Sequence, residues 1–414
     1  MIVSIVYFLF FFLLTRTYYI KHGINVGTFL LLLYFVSVLL TLIESFWGPI
    51  NHPTLEPDAT FYYTVCVLIS LWPFLLLAKY DCSFFEFSYI KICFLSYFLV
   101  FFGLIEVVTS VVDIYNNRAI FFGNIADVRL NFYDNTLDNV ILNRSVFDKV
   151  IILMHYLQYM TPFCSIYMLS RGNTKFAFLL SVASLGFPLH NMTIGEREAI
   201  LIFFSNWFFC FIFFRSLLSK KTKKKFKRIA FIFALPFVVF FVAMTVGRFL
   251  SAQSNIGGIE SLLRYGGDMP FYFSHIFIDP SIEAQKLGGV ASFNYLFPVS
   301  ERLHGGYNEY INSDIYLNQF GGLAGTFYLD FGRYAIFVIA SFAIAYYMFV
   351  KSTRRKNGKY PYHLFLLFYF SFQVLFMNIF YFDFNGLYKL FLPFLYFLIS
   401  WISSSITFSS SKHM

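Results

Sequence analysis

Two dense runs of positive charge, SLLSKKTKKKFKR at 216–228 and KSTRRKNGK at 351–359, stand between apolar stretches long enough to cross a bilayer. Lys and Arg concentrate in the cytoplasmic loops of membrane proteins, so both runs mark an inner face. The chain between them starts and ends inside, and it must leave the membrane and return. Its long polar stretch, 248–327, therefore lies outside, joined to the two runs by apolar segments at 229–247 and 328–350.

Taking about 20 apolar residues per crossing, the sequence predicts spans at 2–20, 25–47, 60–78, 89–111, 149–169, 175–192, 199–217, 229–247, 328–350, 362–381 and 387–404. These are about 11 helices, or between about 10 and 12 if single crossings are merged or split. Counting back from 216–228, the loops that carry Arg16 and Lys21, Lys79 and Lys91, and Arg171 and Lys175 all fall inside. The N-terminus is then outside and the C-terminus inside. The opening segment MIVSIVYFLFFFLLTRTYYIKHG has neither a basic leader nor a small-x-small cleavage site, so it reads as a retained span.

The chain is 58% hydrophobic and only 13% charged, with mean hydropathy +0.66, against about 25% charged residues in soluble domains. The expected fold class is an all-α polytopic membrane protein, a single integral membrane domain over 1–414. The net charge of +9 does not call for nucleic acid, because 13 of the 31 basic residues fall within 215–359 in and beside the two runs, where membrane orientation explains them. Cys66, Cys82, Cys93, Cys164 and Cys210 are scattered and odd in number, which indicates neither a disulfide framework nor a metal knuckle. No DxD-like metal site for nucleotide sugars, Walker lysine loop or HExxH helix is present, and no cofactor is expected. Asn143-Arg144-Ser145 and Asn191-Met192-Thr193 match the glycosylation acceptor triplet, a pattern short enough to arise by chance.

Ionisable groups at membrane depth are costly and mark functional candidates. Arg197, in TIGERE, begins the seventh span on the outside, flanked by Glu196 and Glu198, which offer it a purely structural pairing. Arg248 ends the eighth span at the same surface, where a snorkelling anchor is the plainer reading. Together they put two guanidinium groups at the outer ends of one hairpin, a geometry suited to phosphate oxygens. His304, in ERLHGGYNEY of the late outer loop, can take a proton from a hydroxyl near neutral pH. His275 competes with it but sits among apolar neighbours that suit a packed helix face. Arg264, Arg302, Glu301 and Asp314 are second-rank polar candidates, while Glu44 and Glu106 are the carboxylates that come closest to mid-span. The Gly pairs of 248–327 punctuate short amphipathic pieces, expected as helices on the outer membrane face.

Three features carry a resemblance: TIGERE leading into a span, the long late outer loop, and GGLAGTFYLDFGRYAIFVIASF leading into the next span. Over about 150 residues, 193–350, together with the span layout, the chain resembles the O-antigen polymerase (Wzy-type) family of oligosaccharide repeat-unit polymerases. The resemblance implies a fold like that of the membrane glycosyltransferases (GT-C-like) and a location in the bacterial inner membrane. It implies an undecaprenyl-pyrophosphate-linked glycan as substrate, metal-independent transfer on the periplasmic face, and membrane lipids and a chain-length regulator as partners. The family's two outer arginines and late histidine fall on Arg197, Arg248 and His304; Glu196, Arg264 and Arg302 are expected as further substrate contacts from their own positions in the outer segments. Glu196 and Glu198 stand where the family often has small residues. An O-antigen ligase is the alternative within the same class; a lipid-linked oligosaccharide flippase or other transporter is the alternative outside it, for which repeat symmetry and mid-span charge would speak.

Overall fold

The computed structural model describes residues 1–47, 54–116, 154–193, 198–224, 226, 263, 266–280, 286, 288, 322–354, 358–380 and 390–410. Among these residues there is no β-strand, and the regular elements are helices. They are α1 (Ile2–His22), α2 (Val26–Trp47), α3 (Pro57–Ala78), α4 (Tyr89–Asn116), α5 (Thr161–Ser170), α6 (Thr174–Ala183), α7 (Gly186–Thr193), α8 (Glu198–Phe213), α9 (Met269–Ile278), α10 (Gly322–Phe331), α11 (Ala335–Thr353), α12 (Tyr362–Phe380) and α13 (Phe391–Ser410).

Among the described residues, seven helical segments are long and apolar enough to cross a membrane: α1, α2, α3, α4, α6 with α7, α10 with α11, and α12. They coincide with the spans expected at 2–20, 25–47, 60–78, 89–111, 175–192, 328–350 and 362–381. The spans expected at 199–217 and 387–404 correspond to shorter apolar helices, the one expected at 149–169 is described only from residue 154, and 229–247 lies outside the described residues. The described residues are almost all helical, as in an all-α membrane protein. Large apolar side chains that a soluble protein would bury are exposed along whole faces of these helices, as in α1 at Ile2, Val6, Leu9, Phe10 and Leu13. Such faces suit hydrocarbon, which solvates Leu and Phe as well as a protein core does.

The chain divides into two compact units. The first comprises 1–80, 259–360 and 367–391. In it α1 and α2 form a hairpin, and α3 packs against α9, α10 and α11. The Pro57 ring suits the first turn of α3, where no amide donor is needed. Its core is aromatic: Phe74 stacks on Phe368 with ring centroids 4.7 Å apart, and Phe273 meets Tyr62, Tyr63 and Tyr328 at 5.3–5.8 Å. The short helix α9 lies inside the stretch expected to form outer amphipathic pieces, but its Met269, Phe271, Phe273 and Ile276 are buried against α3 and α10. It is a packed element because both sides of it are apolar.

The second unit comprises 81–258, 361–366 and 392–414. Here α4 packs against α5, α6 and α7, and α8 packs against α5 and α7. Phe163, Phe213, Phe214 and Phe365 fill its centre, with Phe163 and Phe365 4.7 Å apart. Lys91, on the first turn of α4, donates to the Ser400 carbonyl at 3.2 Å and to the Ser403 and Ser404 hydroxyls at 2.7 and 3.1 Å. Its charge is thus held by polar groups of α13.

Candidate functional site

The groups expected to carry the chemistry, Glu196, Arg197, Arg248, Arg264, Arg302 and His304, all lie outside the described residues, as do Glu301 and Asp314. His275 is described, on α9 among buried neighbours. Its Nε2 is buried without a hydrogen-bond partner, and burial lowers the tendency of the ring to protonate, with Asp279 opposing in part. A neutral imidazole that faces packing atoms matches the plainer of its two sequence readings.

The polar cluster best defined by geometry is in the second unit and was not among the expected site residues. It forms where α4 and α7 approach closely. A Cβ on Gly103 of α4 would stand 2.7 Å from the Ala183 carbonyl oxygen, and a Cβ on Gly186 of α7 would stand 2.9 Å from the Gly103 carbonyl oxygen. Only glycine permits that approach, the usual device for close helix contact in membranes. The approach encloses Glu106, which is hydrogen-bonded to Nδ1 of His155; both side chains are buried. Asn191, also buried, places Nδ2 2.9 Å from His155 Nε2 and 2.8 Å from the Phe187 carbonyl oxygen. The His155 ring packs on Phe187 at 4.6 Å and on His190 at 4.8 Å. Gln158 supports the cluster from below, donating to the Leu99 carbonyl and accepting from Thr161.

One signal for this cluster is visible in the sequence: Glu106 is a lone carboxylate inside an apolar run. Nothing in the sequence pairs it with His155, 49 residues away, because the pairing is made by the docking of separate helices.

In the first unit, α2 presents Ser37, Thr41 and Glu44 along one face. Ser37 and Thr41 donate to the carbonyls of Gly266 and Gly267, and a Cβ on Gly267 would stand 2.8 Å from a Glu44 oxygen. Asp268 follows, buried, at the start of α9. Asn378 of α12 accepts from the Leu323 amide, which caps the start of α10, and donates to Tyr34 Oη at 2.9 Å. The Asp of FYLDFG, Asp330, is buried at the end of α10, and Gly332 follows with φ 58°, a conformation that favours glycine. That glycine breaks the helix between α10 and α11. Among the described residues no three His, Cys, Asp or Glu side chains gather as a metal site.

Across the described residues, six Asp, Glu and His side chains are buried: Glu44, Glu106, His155, Asp268, Asp330 and His363. By the charge pattern, Glu44, Glu106 and His155 lie toward the outer ends of their expected spans, Asp330 lies in the outer part of the Gly322–Thr353 segment, Asp268 falls in the expected outer loop, and His363 lies toward an inner end. Compared with known proteins, the chain matches no family model, no curated protein and no solved structure.

Proposed function

We propose that this protein polymerises undecaprenyl-pyrophosphate-linked oligosaccharide repeat units into a surface polysaccharide, on the periplasmic side of a bacterial inner membrane. The reading includes about 11 spans and a GT-C-like arrangement of them. The observation that supports it is that five of the six buried Asp, Glu and His side chains among the described residues fall on the side that the charge pattern assigns to the outside. Buried charge is expensive in a membrane, and a lipid pyrophosphate is presented at that surface. Asn191 and His190 also stand directly before TIGERE in the chain.

The chemistry asked of the site is modest. An acceptor hydroxyl oxygen forms a bond to the anomeric carbon of the donor sugar, and the bond from that carbon to the pyrophosphate oxygen breaks with its electron pair. Arg197 and Arg248 would neutralise the charge that grows on the leaving group. His304 would take the hydroxyl proton, a contribution of about 10²–10⁴-fold.

One observation favours a second reading. A buried carboxylate–histidine pair within spans is also the equipment of proton-coupled carriers, so a flippase or transporter of the lipid-linked unit is the alternative. The glycans of a deletion strain separate the readings. A polymerase leaves single repeat units attached to the lipopolysaccharide core. A ligase leaves the core bare while polymer accumulates on the lipid carrier. A flippase leaves the core bare and the lipid-linked units facing the cytoplasm.

A further inference from the structure

Two cations at one end of the first unit lack the oxygen partners that Lys91 finds on α13. Lys79 stands at the end of α3 and Arg354 at the end of α11, helices that pack against each other. The Lys79 ammonium lies 5.2 Å from the centre of the Tyr80 ring and the Arg354 guanidinium 5.7 Å from that of Tyr360, and the two rings stand 5.5 Å apart. Arg354 Nε donates to the Gly358 carbonyl at 3.3 Å. Both side chains are exposed, and among the described residues neither forms an ion pair, so the Lys79 ammonium and the terminal guanidinium nitrogens keep donors to offer. The charge pattern places these helix ends inside, whereas the described Asp and Glu residues of the unit all fall on the outer side. Asp81, the nearest carboxylate in sequence, accepts from the Ser83 amide at 3.0 Å. Two like charges held on one ring pair without a carboxylate form an arrangement that an anion completes.

We propose that this face binds an anionic phospholipid of the inner leaflet, with Lys79 and Arg354 on its phosphate oxygens and the helix faces beneath them along an acyl chain. The second half rests on residues two turns deeper. Trp72 precedes Lys79 by seven residues on α3, and Tyr347 precedes Arg354 by seven on α11. Each ring therefore lies on the same helix face as its cation, about 10 Å toward the bilayer centre. The two rings meet at 5.1 Å, and Trp72 is exposed, as are Ile344 and Met348 beside Tyr347. Lys351, exposed on the last turn of α11, adds a third cation close to Arg354. A soluble phosphate would use the cations alone. A lipid uses the cations and the apolar surface together, at the depth where Trp and Tyr favour the interface. The guanidinium fork suits two phosphate oxygens, and each cation near such a surface strengthens attachment about fivefold. The inference rests on the membrane character of the chain and not on the polymerase reading.

Quenching of Trp72 by brominated lipids tests the proposal. Trp47→Phe, Trp207→Phe and Trp401→Phe leave Trp72 as the sole tryptophan of the full chain, which is placed in phosphatidylcholine bilayers. Brominated phosphatidylglycerol should quench Trp72 at a mole fraction about 25-fold below that needed of brominated phosphatidylcholine, from two cations at about fivefold each. With Lys79→Gln and Arg354→Gln together the two lipids should quench alike. Equal quenching before that substitution, or a preference that survives it, would overturn the proposal. So would a preference lost as fully with Lys220→Gln and Lys221→Gln, which remove two cations from the basic run of the second unit and report general surface charge. Loss of the preference when chloride is exchanged for inorganic phosphate at constant ionic strength would assign the site to soluble anions instead of a lipid. Should the sole-tryptophan chain fail to fold, native mass spectrometry of the unaltered chain tests the same point: phosphatidylglycerol adducts should be retained, and lost with Lys79→Gln and Arg354→Gln; adducts equal in both would overturn it.

Discussion

Gly186 lies against Glu106 so closely that a methyl group in place of its hydrogen would meet the carboxylate at 2.9 Å and the Gly103 carbonyl oxygen at the same distance. Neither can retreat cheaply, since one is backbone and the other is tied to His155. Gly186→Ala and Gly103→Ala should each destabilise the protein by about 1–3 kcal/mol, as overpacking does. Gly23, with φ 65° and open space around it, should lose only about 1 kcal/mol on the same change, from backbone conformation. Thermal unfolding in detergent ranks the three; equal losses at all of them would remove the close approach as the cause.

Removing one member of the Glu106–His155 pair leaves the other buried alone. His155→Ala should cost about 3–5 kcal/mol, and Glu106→Gln clearly less, because the amide oxygen still accepts from Nδ1–H. The double variant Glu106→Gln with His155→Ala should cost less than the two single losses added together. A double-mutant cycle in denaturant reads this coupling, and strict additivity would mean that the two side chains do not depend on each other.

Asn378 serves two partners, the Leu323 amide in the first turn of α10 and the Tyr34 hydroxyl. Asn378→Leu removes a cap worth about 1 kcal/mol and leaves a half-buried amide without its partner, so a total loss of about 1–2 kcal/mol is expected. Faster amide exchange confined to the first turn of α10 identifies the cap as the cause. Unchanged exchange there would assign the loss to the core around Tyr34.

Burial pushes His275 below its ordinary value of 6.5, with Asp279 opposing. The folded chain therefore binds fewer protons than the unfolded chain in the window just below 6.5, and its stability rises with pH there. The contribution is complete above 6.5 and is lost as pH falls through the window. His275→Phe should flatten stability against pH over that range. A dependence unchanged by the substitution would place the responsible group elsewhere.

The orientation and the site assignments have their own tests. Four of the five native cysteines are buried, so a cysteine introduced at Val290 should be labelled from outside and one at Lys223 should not; the reverse would put the proposed site in the wrong compartment. In a glycan ladder assay Arg248→Lys should fail nearly as badly as Arg248→Ala, because the planar fork is lost while the charge remains. His304→Ala should accumulate single lipid-linked units, and His275→Ala should be milder. The opposite ranking moves the base to His275.

How much of this was legible beforehand follows from the physics of each feature. Apolar runs of bilayer length and clustered lysines act locally, through solvation and orientation, and they were enough to locate the seven spans that the described residues contain. The FYLDFG segment was visible as a pattern, yet only the structure shows it as a helix end, a left-handed glycine and a new helix start. Helix α9 could be placed in its loop by composition, but its burial depends on α3 and α10, which are distant in sequence. The Glu106–His155–Asn191 cluster was furthest from reach. Glu106 could be noticed as a carboxylate in an apolar run, but its partners lie 49 and 85 residues on. Gly103 and Gly186 bring them together by letting two backbones touch, and contacts of that kind are made only when helices pack. The amino-acid sequence by itself indicated a membrane protein and located the seven long apolar helices that the described residues contain. Tertiary structure alone decided which buried charges meet, because inside a bilayer a carboxylate must find its partner on another helix or not be buried at all.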